Sequence, residues 1–169
     1  MADNDLTRYR NALAGSVVFE HLAPAELDLI VRSCRLLDVE AGRLLLSEGS
    51  RGDGLYVILE GEVEFFLPPR AVGHVRRPSR VRLNVLGRGR CFGEYGVIDD
   101  RPSSASAQAV GAARLCFLPT AEFRRITAQN ERIGRIVYEN LLRFLVSRLR
   151  SKDQELDLVL FVDEPGRRG

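Results

Sequence analysis

The chain has 169 residues, 45% hydrophobic and 28% charged, which suits one domain with a real core and excludes two large ones. Its 25 basic and 23 acidic side chains leave a net charge of +2, which gives no general case for nucleic-acid binding. Lys152 is the single lysine among those basic residues, an arginine bias read mainly as codon composition.

Asp5 reads as the cap of a first helix that carries Leu6, Tyr9, Arg10 and Leu13 and ends near Gly15. Pro24 suits the first position of a second helix, where Leu27, Ile30 and Val31 recur at helical spacing behind Phe19 and Leu22. From about residue 36 to 118 the pattern changes to short apolar or alternating runs between glycine turns. The predicted strands are 35–39, 43–47, 55–60, 62–67, 80–86, 106–109 and 113–119. Strands this short, with no helices between them, imply an antiparallel roll or barrel rather than a parallel α/β sheet.

Helical periodicity returns at Thr120, read as the cap of a short helix through Phe123 and Ile126. A long helix is predicted from about 131 to 160. Ile133, Val137, Leu141 and Phe144 form one apolar stripe on it. Tyr138, Leu142, Leu145, Leu149, Leu156 and Val159 form a second with heptad rhythm, read as a dimer interface. A single broad buried face is the other reading of the two stripes.

The stretch 89–107 carries the chemistry. Gly93 lets the backbone approach a ligand closely, a helical turn after it aims N–H groups at an anion, and Ser103, Ser104 and Ser106 add hydroxyl donors. Glu94 is suited to accept a hydrogen bond from a sugar hydroxyl. On residue chemistry alone the stretch reads either as a phosphate–sugar cradle or as a serine-rich loop with a capping glutamate.

Taken in order, Gly42, Glu48-Gly49, Gly52-Asp53, Leu55-Tyr56-Val57-Ile58-Leu59, Gly61-Glu62-Val63, Gly89 and Phe92-Gly93-Glu94 resemble the cyclic nucleotide-binding domain. That family includes bacterial catabolite activator and fumarate–nitrate regulator proteins, regulatory subunits of protein kinase A, and gated channels. The resemblance covers most of the chain. It implies a mainly β fold with flanking α: an antiparallel, jelly-roll-like β-roll with N-terminal helices and C-terminal B and C helices. On this reading residues 1–33 are the N-terminal helical segment and 34–119 the β-roll, with a phosphate-binding cassette at 92–106. Residues 120–161 are the B and C helices, and 162–169 a disordered tail.

In members that bind cyclic AMP or cyclic GMP, the cassette glutamate holds the ribose 2′-OH. An arginine then pairs with the cyclic phosphate, followed by two small residues and a Ser or Thr. The resemblance therefore implies ligand contacts from Gly93, Glu94, Tyr95, Ser103, Ser104, Ala105 and Ser106, with Ser103 standing at the arginine position after Pro102. Losing a charge-assisted pair costs about 1.5–3 kcal/mol; Ser103 donates one hydrogen bond but does not neutralise the phosphate. Arg101 either reaches the ligand from two positions earlier or faces solvent beside Asp99 and Asp100.

Arg70, Arg76, Arg77, Arg80, Arg82, Arg88 and Arg90 make the 70–90 region locally basic. It reads as a solvated loop or as a site for an anionic partner such as cyclic di-GMP. Cys34, Cys91 and Cys116 form no CxxC pair, and His21 and His74 no metal pattern, so neither a metal nor a disulfide framework is expected. No nucleophile elbow, Walker loop or kinase signature supports catalysis. With no apolar stretch of membrane-spanning length and a polar start, the expectation is a cytoplasmic protein without a membrane span. A short polar tail after the long helix leaves no winged helix-turn-helix, so direct DNA binding is not expected.

The expected function is a noncatalytic cyclic nucleotide-binding sensor that acts by ligand-linked movement of its C-terminal helices. It is expected to be a homodimer with an unidentified effector protein and no cofactor. The alternatives are a degenerate domain for protein–protein interaction or dimerisation without nucleotide, and a binder of another anionic messenger.

Overall fold

The computed structural model describes residues 6–72 and 75–162. The expected Asp5 cap, His74, the tail at 163–169 and the side chain of Val159 lie outside what it describes.

A 3-10 turn, Leu6–Tyr9, runs into α1 (Arg10–Ala14), and α2 (Pro24–Ser33) starts with Pro24 in its first turn. Glu26 reaches back to accept a hydrogen bond from the Ala23 N–H at 2.7 Å, satisfying a donor that the new helix cannot. There follow β1 (Arg35–Val39), β2 (Leu44–Leu46), β3 (Gly54–Glu60), β4 (Val63–Leu67), β5 (Arg70–Val72), β6 (Val75–Arg77), β7 (Val81–Leu86) and β8 (Cys91–Phe92). The order is completed by α3 (Glu94–Ile98), β9 (Ser106–Ala109), β10 (Ala113–Pro119), α4 (Thr120–Gln129) and α5 (Glu131–Val162).

Two four-stranded antiparallel sheets, β1-β10-β3-β8 and β2-β9-β4-β7, form the roll. This is the mainly β, antiparallel β-roll with flanking helices expected from the sequence. Two elements were not expected: the β5–β6 hairpin inside the basic segment and the two-residue β8. Thr120 is not a cap. Pro119 holds the N-cap position at φ −57°, ending β10 and starting α4, while Thr120 is the first helical residue with a buried, unpartnered Oγ1.

β3 explains its own uninterrupted apolar sequence, because both of its faces are covered. Leu55, Val57 and Leu59 face the helices, in a core with Leu13, Phe19, Ile30, Phe123, Ile126 and Leu141. Tyr56 and Ile58 point into the roll with Val63, Phe92, Leu115 and Phe117. On α5, Ile133, Val137, Leu141 and Phe144 are buried against the first core. Tyr138, Leu142, Leu149 and Leu156 stay exposed and Leu145 is half-buried, so α5 has two distinct apolar stripes and not one broad buried face.

Candidate functional site

The pairing of β3 with β8 sets where the cassette begins. Tyr56 faces Phe92 and Val57 faces Cys91 in the register, and the Tyr56 ring stacks on Phe92 with centroids 4.7 Å apart. The Tyr56 hydroxyl donates to Asp53 Oδ1 at 2.7 Å. The chain then turns at Gly93, whose φ is +84°. A Cβ at this position would lie 2.3 Å from the Gly54 carbonyl oxygen, so the turn requires glycine both for its left-handed backbone and for its lack of a side chain. Behind it, α3 lies so close to the β2–β3 loop that a Cβ on Gly96 would sit 3.1 Å from the Gly52 oxygen.

The far end of the cassette is fastened by backbone. Gly49 N–H donates to Ser103 O and Ser103 N–H donates to Ser50 O, each at 2.8 Å. Glu48 N–H donates to Ser106 Oγ at 3.0 Å. The Glu48 carboxylate accepts from Arg70 at 3.1 Å and from Arg77 at 2.9 and 3.0 Å, which ties the β5–β6 hairpin to the same loop. The Arg77 hydrogen bonds, with the one from Arg70 behind them, hold the Glu48 carboxyl below its usual range.

Between the cassette and α5 lies a cavity of about 120 Å³. Leu46, Phe65, Leu83, Asn84 and Phe92 line it from the roll, Gly93, Glu94, Tyr95, Gly96, Ser103, Ser104 and Ala105 from the cassette, and Arg148 and Lys152 from α5. Phe65 and Phe92 meet edge to face at 5.4 Å and give the cavity an apolar part to its wall. Glu94 is only 3% exposed. Burial pushes its carboxyl above the ordinary range, opposed by Arg148, whose Nη1 donates to Glu94 Oε1 at 2.5 Å. The neighbouring Cys91 thiol is pushed up to about 12 by burial and by the Glu94 charge, which makes it inert as a nucleophile at neutral pH.

Gly93, Glu94, Tyr95, Ser103, Ser104 and Ala105 are thus brought together around one cavity. Ser106 sits behind it, 4% exposed, with its Oγ engaged by the Glu48 N–H. The Arg101 side chain is 82% exposed and faces Asp99 at 3.6 Å, away from the lining. In the basic segment, Arg70 and Arg77 are paired with Glu48, and Arg80 and Arg82 with Glu64, so much of its charge is spent within the molecule. Sequence reasoning missed Arg148 and Lys152. Their only local mark is an i,i+4 spacing on a polar face of α5, and the fact that Lys152 is the one lysine.

Among the described residues, no group of three His, Cys, Asp or Glu side chains is placed to hold a metal ion, and no helix is long and apolar enough to cross a membrane. The profile of the "Cyclic nucleotide-binding domain" matches residues 36–130. The chain belongs to that family.

The chain is similar to the Cyclic AMP receptor protein of Thermus thermophilus, 34% identical over 155 residues, covering 92% of this chain and 67% of that protein. It is 28% identical over 156 residues to the CRP-like cAMP-activated global transcriptional regulator of Mycobacterium tuberculosis, covering 92% of this chain and 65% of the regulator. It thus spans about two thirds of the length of these relatives. A solved cyclic nucleotide-binding domain from Methylobacillus flagellatus superposes with a TM-score of 0.77 over 96% of this chain and 88% of that one; at 23% identity this is a likeness of fold.

Proposed function

We propose that the protein is a noncatalytic sensor module that binds a cyclic nucleotide, cyclic AMP or cyclic GMP, between its cassette and α5 and signals occupancy by moving α5. The observation that carries this reading is that α5 itself closes the cavity, through Arg148 and Lys152. At about 120 Å³ the cavity is smaller than the roughly 300–1,000 Å³ of small-molecule sites, so seating a nucleotide displaces α5 or the side chains it contributes to the lining. The ligand then favours one helix arrangement over the other, a population shift driven by its differential affinity. The names of the Thermus and mycobacterial relatives support cyclic AMP as the first ligand to try. The exposed α5 stripe of Tyr138, Leu142, Leu149 and Leu156, with half-buried Leu145 between them, offers the surface on which a second copy docks and through which an effector senses the change.

One observation favours a second reading. Ser103 stands where the resemblance implies the phosphate-binding arginine, which fits a domain that keeps the cassette for protein interaction or dimerisation without nucleotide. Thermal unfolding of the protein with cyclic AMP, cyclic GMP and cyclic di-GMP separates the readings. A ligand at about a hundredfold over its dissociation constant adds roughly 2.7 kcal/mol, a shift of several degrees. A shift with a cyclic mononucleotide is the expected result. A shift with cyclic di-GMP alone moves the reading to another anionic messenger, and no shift with any of the three overturns nucleotide binding. Ser103→Arg is expected to tighten cyclic mononucleotide binding roughly ten- to a hundredfold; unchanged affinity would remove Ser103 from the phosphate position.

A further inference from the structure

We infer that the positive charge for the ligand's phosphate comes from α5, with Lys152 and Arg148 taking the place of the cassette arginine. The inference rests on the cyclic nucleotide reading above and deepens it.

Both cations line the same cavity as Ser103, Ser104 and Ala105, contributed by α5 where those three come from the cassette. They stand four residues apart on α5 and so share one helix face. Each is held by a carboxylate: Arg148 by the buried Glu94 of the lining and Lys152 Nζ by Glu155 Oε2, both at 2.5 Å. The side chains remain accessible, 38% exposed for Arg148 and 54% for Lys152. A neighbouring hollow of about 280 Å³ shares Asn84, Arg148 and Lys152 with the cavity and adds Arg90 and Glu155, so the lysine stands between two spaces. An ammonium on a flexible four-carbon stem is a point charge that exchanges one carboxylate partner for a phosphate oxygen without fixed geometry.

The consequence is mechanical. A cassette arginine would neutralise the phosphate from within the roll, leaving the helix movement a separate event. Among the described residues, the only positive charges in the cavity lining, Arg148 and Lys152, are carried by α5, so phosphate capture and the docking of α5 are one step. Glu94 and Glu155 are then competitors for the same cations, and ligand affinity depends on how firmly they hold them.

Calorimetric titration of the wild-type protein, Lys152→Met and Glu155→Gln with cyclic AMP, cyclic GMP and the uncharged nucleosides adenosine and guanosine tests this. Lys152→Met is expected to weaken the cyclic nucleotide about tenfold and to leave nucleoside affinity unchanged. Glu155→Gln, which frees the lysine, is expected to tighten it severalfold. Adding Ser103→Arg should make affinity independent of residue 152. Lys152 is exposed on a helix, and far-ultraviolet circular dichroism of each variant confirms that it is folded. If the wild type binds cyclic nucleotide and Lys152→Met stays within twofold of it, or loses nucleoside and nucleotide affinity equally, the α5 anchor is overturned while the sensor reading stands. If the wild type binds neither cyclic nucleotide, both fall together.

Discussion

Arg148 Nη1 donates to Glu94 Oε1 at 2.5 Å, joining the first residue of α3 to the middle of α5 across 54 positions of sequence. Glu94 is almost wholly buried, and burial lifts its pKa above the ordinary 4.5 even with Arg148 opposing it. The folded protein therefore holds this proton more tightly than the unfolded chain. The stability this group contributes is complete below the ordinary carboxylate value and is lost as pH rises through the folded value. Glu26, Asp28, Glu48 and Glu122 have lowered pKa values and act in the opposite sense, so total stability does not isolate the effect. The difference between wild type and Glu94→Gln does. Urea unfolding across a pH series is expected to show wild type losing ground to Glu94→Gln as pH rises above about 4.5. A difference independent of pH would mean that Glu94 titrates like an exposed carboxylate.

A second prediction concerns the hairpin. Arg77 donates twice to the Glu48 carboxylate, and Glu48 heads the loop whose next two residues hold Ser103 by backbone hydrogen bonds. The side chain of Arg77 thus positions the cassette without touching the cavity. Arg77→Ala is expected to speed hydrogen exchange at the Gly49 and Ser103 amides roughly tenfold, as local opening becomes easier, while amides in β3 and β10 stay protected. Arg77→Lys should restore part of the protection by keeping the charge. Uniformly faster exchange over the whole roll would show a global loss of stability instead of a local mount.

The roll was legible because its strands are punctuated by glycine turns, and β3 announces itself by an apolar run that only a strand buried on both faces requires. The β5–β6 hairpin was not, since three residues a side is too short for periodicity and its arginines read as a charge run. What holds them is Glu48, more than twenty residues away by the Arg70 spacing of 22, and nothing local points to it. β8 exists only as the partner of Tyr56 and Val57. At the site, the Gly93-Glu94 turn and the serines were visible because backbone geometry and hydroxyl chemistry leave a compositional trace. Arg148 and Lys152 were invisible because their direction is fixed by how Ile133, Val137, Leu141 and Phe144 seat α5 on the roll.

Gly93 offers a direct test of the cassette's backbone. A side chain there must adopt φ near +84° and place its Cβ 2.3 Å from the Gly54 oxygen, against a β3 strand that is buried on both faces and cannot retreat. The left-handed backbone alone costs about 1–3 kcal/mol. Gly93→Ala is expected to lower the unfolding free energy by at least that amount, measured by chemical denaturation. Gly89→Ala serves as the comparison, because Gly89 has a similar φ of +80° with nothing within 4 Å of a built Cβ. Equal losses in the two variants would mean that the contact with Gly54 contributes nothing beyond backbone strain.

The α5 stripe gives the last prediction. Leu142 and Leu149 are each 62% exposed and Leu156 is 60% exposed, each seven residues or about two helix turns from the next, on a face distinct from the buried stripe. Exposed leucines at heptad spacing on a long helix bury little within their own chain and gain most by packing against a second helix. Sedimentation equilibrium of the wild-type protein is expected to show a dimer, and the double variant Leu142→Glu/Leu149→Glu a monomer. Because both side chains are already exposed, each change should move the stability of the monomer by no more than about 0.5 kcal/mol. A wild type that stays monomeric at high concentration would overturn the dimer reading of the stripe.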